Sequence, residues 1–263
     1  MNRDNKRIAI VIISFIGYYF FNKFAFAVLF QTFSAWWGER ISAYLIAYIL
    51  VGAPLYIGTL LLHRKTFFER LGLNGNFLKA IITAFVFTLP MLVGYAVFYD
   101  FNNEITTGKI AQGAVFAAFF EELFFRGFFF GLLFRYTRLG FIPSIVLGAA
   151  VFASLHLYQS DDPSTMTGIF ITTLMGAALF AWTYAEWNFN LWVSVWLHLF
   201  MNLYWMLFDA GDNALGPLLS NVFRASTIAF IIIGTLIYKR KKQEKLAVSK
   251  PTLWIKSNVT TAP

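Results

Sequence analysis

The chain has 263 residues, of which 59% are hydrophobic and only 13% charged, with a formal net charge of +8 and no cysteine. Soluble domains carry about 25% charged residues, and a globular core of this length could not hide so much apolar surface from water, so a water-soluble enzyme is excluded. The basic residues lie in short connections and at both ends, which argues against nucleic acid as a partner, and the missing cysteine excludes disulfides and thiolate metal sites.

From the N-terminus, Met1-Asn-Arg-Asp-Asn-Lys-Arg7 leads into an apolar run that starts at Ile8. No small-x-small cleavage site follows, so the run is expected to be a retained helix rather than a signal peptide. A spanning helix needs about 20 mostly apolar residues. By that measure the first candidate is 8–30, interrupted by Asn22 and Lys23, and the second and third are 41–62 and 77–99, with Pro54 and Pro90 inside them. Neighbouring helices tolerate such prolines in lipid. The fourth is 112–134, the fifth a short one at 141–158, and the rest are 165–185, 189–208 and 218–238.

The expected fold is therefore all-α, a polytopic membrane helix bundle of about eight transmembrane helices with the active site buried between them. A single transmembrane domain covers 1–240. Residues 241–263 are expected to form a polar, mobile cytoplasmic tail whose basic cluster touches anionic lipid. The Asn258-Val-Thr sequon carries no weight on such a tail.

Loop charge gives an orientation. With the N-terminus in the cytoplasm, eight spans return the C-terminus there. Arg3, Lys6, Arg7, Arg64, Lys65, Arg70, Lys79, Arg135, Arg138 and seven basic residues from Lys239 to Lys256 then lie inside, against Arg40, Lys109 and Arg224 outside. The expected localisation is a multi-pass integral membrane protein, in a bacterial inner or plasma membrane, with both termini cytoplasmic.

A charge at mid-bilayer costs on the order of 2.5–3.5 kcal/mol on insertion scales, which makes each one a functional candidate. The fourth span holds Glu121, Glu122 and Arg126, the fifth His156, the seventh His198 and Asn202. Residues four apart share a helix face, so Glu122 and Arg126 can pair. Glu121 is rotated about 100° from Glu122 and must find a histidine, a water-filled cavity or a proton, as a general base does. Asn190, Ser194, His198 and Asn202 recur every fourth residue in the seventh span. That stripe suits helix-to-helix hydrogen bonds as well as chemistry.

Two routes to activated water stay open on these residues. Glu121 takes the proton directly while His198 and Asn202 donate to the developing oxyanion, or Glu121, His156 and His198 hold a divalent metal such as zinc. The metal-free route is preferred, because no H-E-x-x-H lies on one helix. Ser154 and Ser194 lack the setting of a nucleophile. A proton-coupled transporter is an alternative, but it would be expected to show repeats and paired broken helices. A catalytically silent peptide-binding or bacteriocin-immunity protein is the other.

The fragments Glu121-Glu122-Leu-Phe-Phe-Arg126, Phe152-Ala-Ser-Leu-His156 and His198-Leu-Phe-Met-Asn202 stand in order on three expected spans. Together they resemble the E-E-x-x-x-R, F-x-x-x-H and H-x-x-x-N/D motifs of the CPBP family, the CAAX proteases and bacteriocin-processing (Abi) enzymes. The resemblance covers a family core of about 77–208 and implies an all-helical intramembrane endopeptidase. It implies that Glu121, assisted by His156, activates water, that His198 and Asn202 hold the oxyanion, and that Glu122 and Arg126 support the site. It also implies a membrane-anchored or lipidated peptide or protein as substrate. The expected site is Glu121, Glu122, Arg126, His156, His198 and Asn202, opening toward the outer leaflet.

Overall fold

The computed structural model of the protein describes residues 2–257; the Asn258 sequon lies outside them. Among the described residues nine helices of more than one turn organise the chain: α1 (Arg3–Trp37), α2 (Arg40–Val51), α3 (Ala53–His63), α4 (Phe77–Phe98), α5 (107–136), α6 (Phe141–Ser154), α7 (Pro163–Glu186), α8 (Leu191–Leu207) and α9 (Leu218–Lys241). All eight expected spans are occupied by helix. By length and composition five of them can cross a membrane, and six if α2 and α3 count as one span bent by 44°. The bend falls where Gly52 is followed by Pro54 near the start of α3, the usual cause of a sharp kink. The remaining two spans differ for physical reasons. α8 has only 17 residues, and α5 carries Glu121, Glu122 and Arg126 and is not uniformly α-helical.

Within α5 the α-helical pieces Thr107–Ile110, Ala117–Glu121 and Gly131–Tyr136 alternate with π-helical stretches, Ala111–Phe116 and Glu122–Phe130. Such wide turns concentrate at functional sites. Every residue from Glu122 to Tyr136 is buried, so α5 is the central helix and the others surround it. α1 to α3 cover one side, α6 and α7 another, and α8 a third, with α4 and α9 stacked behind α8. Close approach is needed at Gly127, where a Cβ would sit 2.9 Å from the Leu71 carbonyl oxygen. The proline in α4 is accommodated as expected: the amide of Met91, next to Pro90, donates to Thr227 Oγ1 of α9 at 3.1 Å.

The termini lie at the same end of the bundle. Arg7 donates to the Tyr136 carbonyl and the Arg138 amide to Asp4, while the Lys256 amide donates to the Arg138 carbonyl. The expectation of a mobile tail from residue 241 does not describe residues 242–257. They fold back onto this end because their backbone groups find partners there: the amides of Ala247 and Val248 donate to the Glu186 carboxylate, and Leu253 and Trp254 accept from Ile142 and Gly140.

Candidate active site

Glu121 closes the central α-helical turn of α5 and Glu122 opens the π-helical stretch. From that position Glu122 Oε1 meets Arg126 Nη1 at 3.0 Å, both side chains fully buried. The guanidinium lies between the rings of Phe152 on α6 and Phe180 on α7, 4.6 and 5.4 Å from their centroids. Such a cation–π sandwich strengthens when desolvated.

The same Oε1 of Glu122 lies 2.8 Å from His198 Nδ1 on α8. An ionised carboxylate only accepts, so Nδ1 carries the proton of this bond. His198 Nε2 is thereby turned to Glu121, 3.9 Å from its Oε2. That gap is too long for a direct hydrogen bond and short enough for both groups to address one small reacting group. Phe180 stacks on the imidazole, 5.0 Å between centroids and 19° between planes. Its own backbone is held by Ser194 Oγ, which donates to the Phe180 carbonyl at 3.0 Å. Glu121 is the accessible member: its side chain is 23% exposed, against 9% for His198 and 0% for Glu122.

Asn202 lies one turn further along α8, on the His198 face. It donates Nδ2 to the Gly113 carbonyl in the first π-helical stretch, at 3.0 Å, which leaves its second N–H free. The polar stripe of α8 thus uses each member on a different partner: Asn190 caps the helix and donates to the Asn76 carbonyl, Ser194 holds Phe180, His198 meets Glu122 and Asn202 meets Gly113.

His156 stands apart. The α-helical turns of α6 end at Ser154, and the His156 Nδ1 bonds the Phe152 carbonyl at 2.8 Å, with the Phe152 ring 4.5 Å from the imidazole. Phe152 is therefore its link to the other residues, touching His156 on one side and Arg126 on the other. Among the described residues, no group of three or more His, Asp or Glu side chains is gathered closely enough to hold a metal ion. Glu121, His156 and His198 do not form one.

Residues that the motifs do not include also line this region. Tyr48 of α2 stacks on Phe120 (4.7 Å, 1°), Tyr44 on Phe116 (6.3 Å, 20°), and Tyr18 of α1 packs on Phe124 (4.9 Å). Nothing in the sequence separates these tyrosines, or Phe180, from its 12 tyrosines and 32 phenylalanines.

An all-helical, multi-pass membrane protein with carboxylates and a histidine meeting between its helices is the class that this fold and site define. Residues 103–204, which hold all six motif residues, match the family described as type II CAAX prenyl endopeptidase Rce1-like. The resemblance of the three motifs to the CAAX protease family is thereby shown for the segment that carries them, and that family is one of membrane proteases. No curated protein and no solved structure matches the chain.

Proposed function

We propose that the protein is an intramembrane endopeptidase that hydrolyses a peptide bond of a membrane-associated or lipidated peptide or protein, with water activated by Glu121. The observation that carries this is the arrangement of Glu121 opposite His198 Nε2 at 3.9 Å, while Glu122 and Arg126 fix the other side of the imidazole. Glu121 is the partly exposed carboxylate of the pair, and among the described residues no cation lies within hydrogen-bond distance of it, which leaves it available as a general base. Glu122 is committed to Arg126 and His198 and serves position rather than proton transfer.

In the proposed step the water oxygen bonds to the scissile carbonyl carbon and its proton passes to Glu121. The negative charge that develops on the carbonyl oxygen is met by the second N–H of Asn202 and by Nε2–H of His198, which acts here as an imidazolium because its Nδ1–H is committed to Glu122. As the intermediate collapses, the C–N bond breaks and Glu121 returns the proton to the leaving amine. A prenylated CAAX protein is the substrate class of the matched family, and for this chain it is one member of a broader panel of lipidated and membrane-anchored peptides. The loop charges favour cytoplasmic termini, and the short loops and compact length suit a bacterial membrane.

The test is cleavage of that panel by the purified protein in liposomes, with wild type, Glu121→Gln and His198→Ala side by side, each with and without chelator. Cleavage by wild type alone, surviving chelation, supports the proposal. Equal cleavage by the Glu121 variant sinks it. A panel that is bound and never cut favours a silent binding protein instead.

A further inference from the structure

The last described stretch of the chain does work that two site helices leave undone. A helix ends with orphan N–H groups at its start and orphan carbonyls at its finish. α6 has no side-chain cap at its start. Its first free amides, Gly140 and Ile142, donate instead to the carbonyls of Trp254 and Leu253. At the finish of α5, the Phe134 carbonyl accepts from Lys256 Nζ, and the Tyr136 carbonyl from Arg7. A cation there also suits the negative end of the helix dipole. A third tie runs to α7, where the Glu186 carboxylate takes the amides of Ala247 and Val248 at 3.0 and 2.9 Å.

These three helices surround the site. α5 carries Glu121 and Glu122, α6 ends beside His156, and α7 supplies Phe180 and leads into α8 with His198. Gly140 shows how closely the segment fits, since a Cβ there would lie 2.5 Å from backbone atoms of Leu253 and Trp254.

We propose that residues 244–257 form a positioning strap, which caps α5 and α6, ties them to α7, and so fixes the spacing of the site helices at their far ends. This rests on the peptidase reading only for its effect on turnover, and not for its effect on geometry.

The buried bolt of the strap is Lys256, 4% exposed. Its ammonium faces the Phe134 ring and carbonyl, with Asp4 as the opposing charge and Arg138, bonded to Asp4, beside it. Burial pushes its pKa down to about 8, against a partial rise from Asp4. A free lysine keeps its proton to about 10.4. Between those values the docked strap has lost a proton that the free strap still holds, so docking strengthens as pH rises from 8 to 10, by up to about 100-fold.

The experiment uses the full chain in liposomes. Trypsin cleavage at Lys245, which precedes Leu246, normalised to a free peptide of the same residues, reports docking. The chain has no cysteine, so spin labels on Val115→Cys and Leu155→Cys report the spacing of α5 and α6 near the site. Gly140→Ala is expected to eject the strap sterically, speed tail cleavage at least tenfold, broaden the label distances and lower kcat with KM unchanged. Lys256→Met removes the buried charge together with the bond to the Phe134 carbonyl, and should lose the rise in protection between pH 8 and 10. A tail still protected in Gly140→Ala, or a freed tail with unchanged label distances, would overturn the proposal. Protection in wild type that stays flat from pH 8 to 10 would remove Lys256 as its bolt. The label distances are read whether or not any peptide is cut, which separates this failure from failure of the peptidase proposal.

Discussion

Glu122 and His198 meet at 2.8 Å across two helices, through the one carboxylate oxygen that also faces Arg126. This bond orients the imidazole and makes Glu122 the residue on which the local charge balance and, in the proposed mechanism, the geometry of the site depend.

Glu122→Gln is therefore expected to damage the fold as well as the reaction. It leaves the fully buried Arg126 guanidinium without its anion, a loss typically of about 3–5 kcal/mol. Thermal unfolding in detergent should show a clear drop in midpoint, and a variant as stable as wild type would contradict the buried pair. Removing both partners in Glu122→Leu/Arg126→Met should recover much of that stability, as apolar replacements of buried ion pairs often do, without recovering hydrolysis.

Glu121→Gln should behave in the opposite way. The side chain is partly exposed and its nearest charged-group partner is 3.9 Å away, so the unfolding midpoint should stay close to wild type. Turnover should fall by about 10²–10⁴, the usual contribution of a positioned base. Peptide cleavage and unfolding measured on the same preparation would separate the two glutamates.

Asn202→Leu removes the bond to Gly113 and the free N–H together. A loss of about 10²–10³ in kcat with KM nearly unchanged is expected of a missing oxyanion donor. A change confined to KM would assign Asn202 to substrate binding instead.

Much of this was legible in the sequence. The eight apolar runs follow from hydropathy, and the Glu122–Arg126 pair from a spacing of four. The stripe from Asn190 to Asn202 marks the face of α8 that reaches across to other helices, because four-residue spacing survives in a regular helix. The wide turns of α5 were not legible, since no residue in Glu122–Phe130 is excluded from an ordinary α-helix and only packing decides the form. The end of α6 at Ser154 was missed for a similar reason: the apolar run continues past it. The docked tail stayed hidden because most of its ties are backbone groups, which a pattern of polar side chains does not report.

The nine-residue π-helical stretch carries one more consequence. On its own, a helix of this composition settles into the tighter α form, whose hydrogen bonds have better geometry than those of the rarer π form. The wide turn is a property of the assembled bundle, and Glu122 faces His198 only once α6, α7 and α8 have closed around α5. For the proposed peptidase, competence to cut is then acquired at assembly rather than at membrane insertion. During refolding into bilayers, helix content should recover ahead of hydrolysis, so that a newly inserted chain passes through an interval in which it is helical, embedded and inert toward its neighbours.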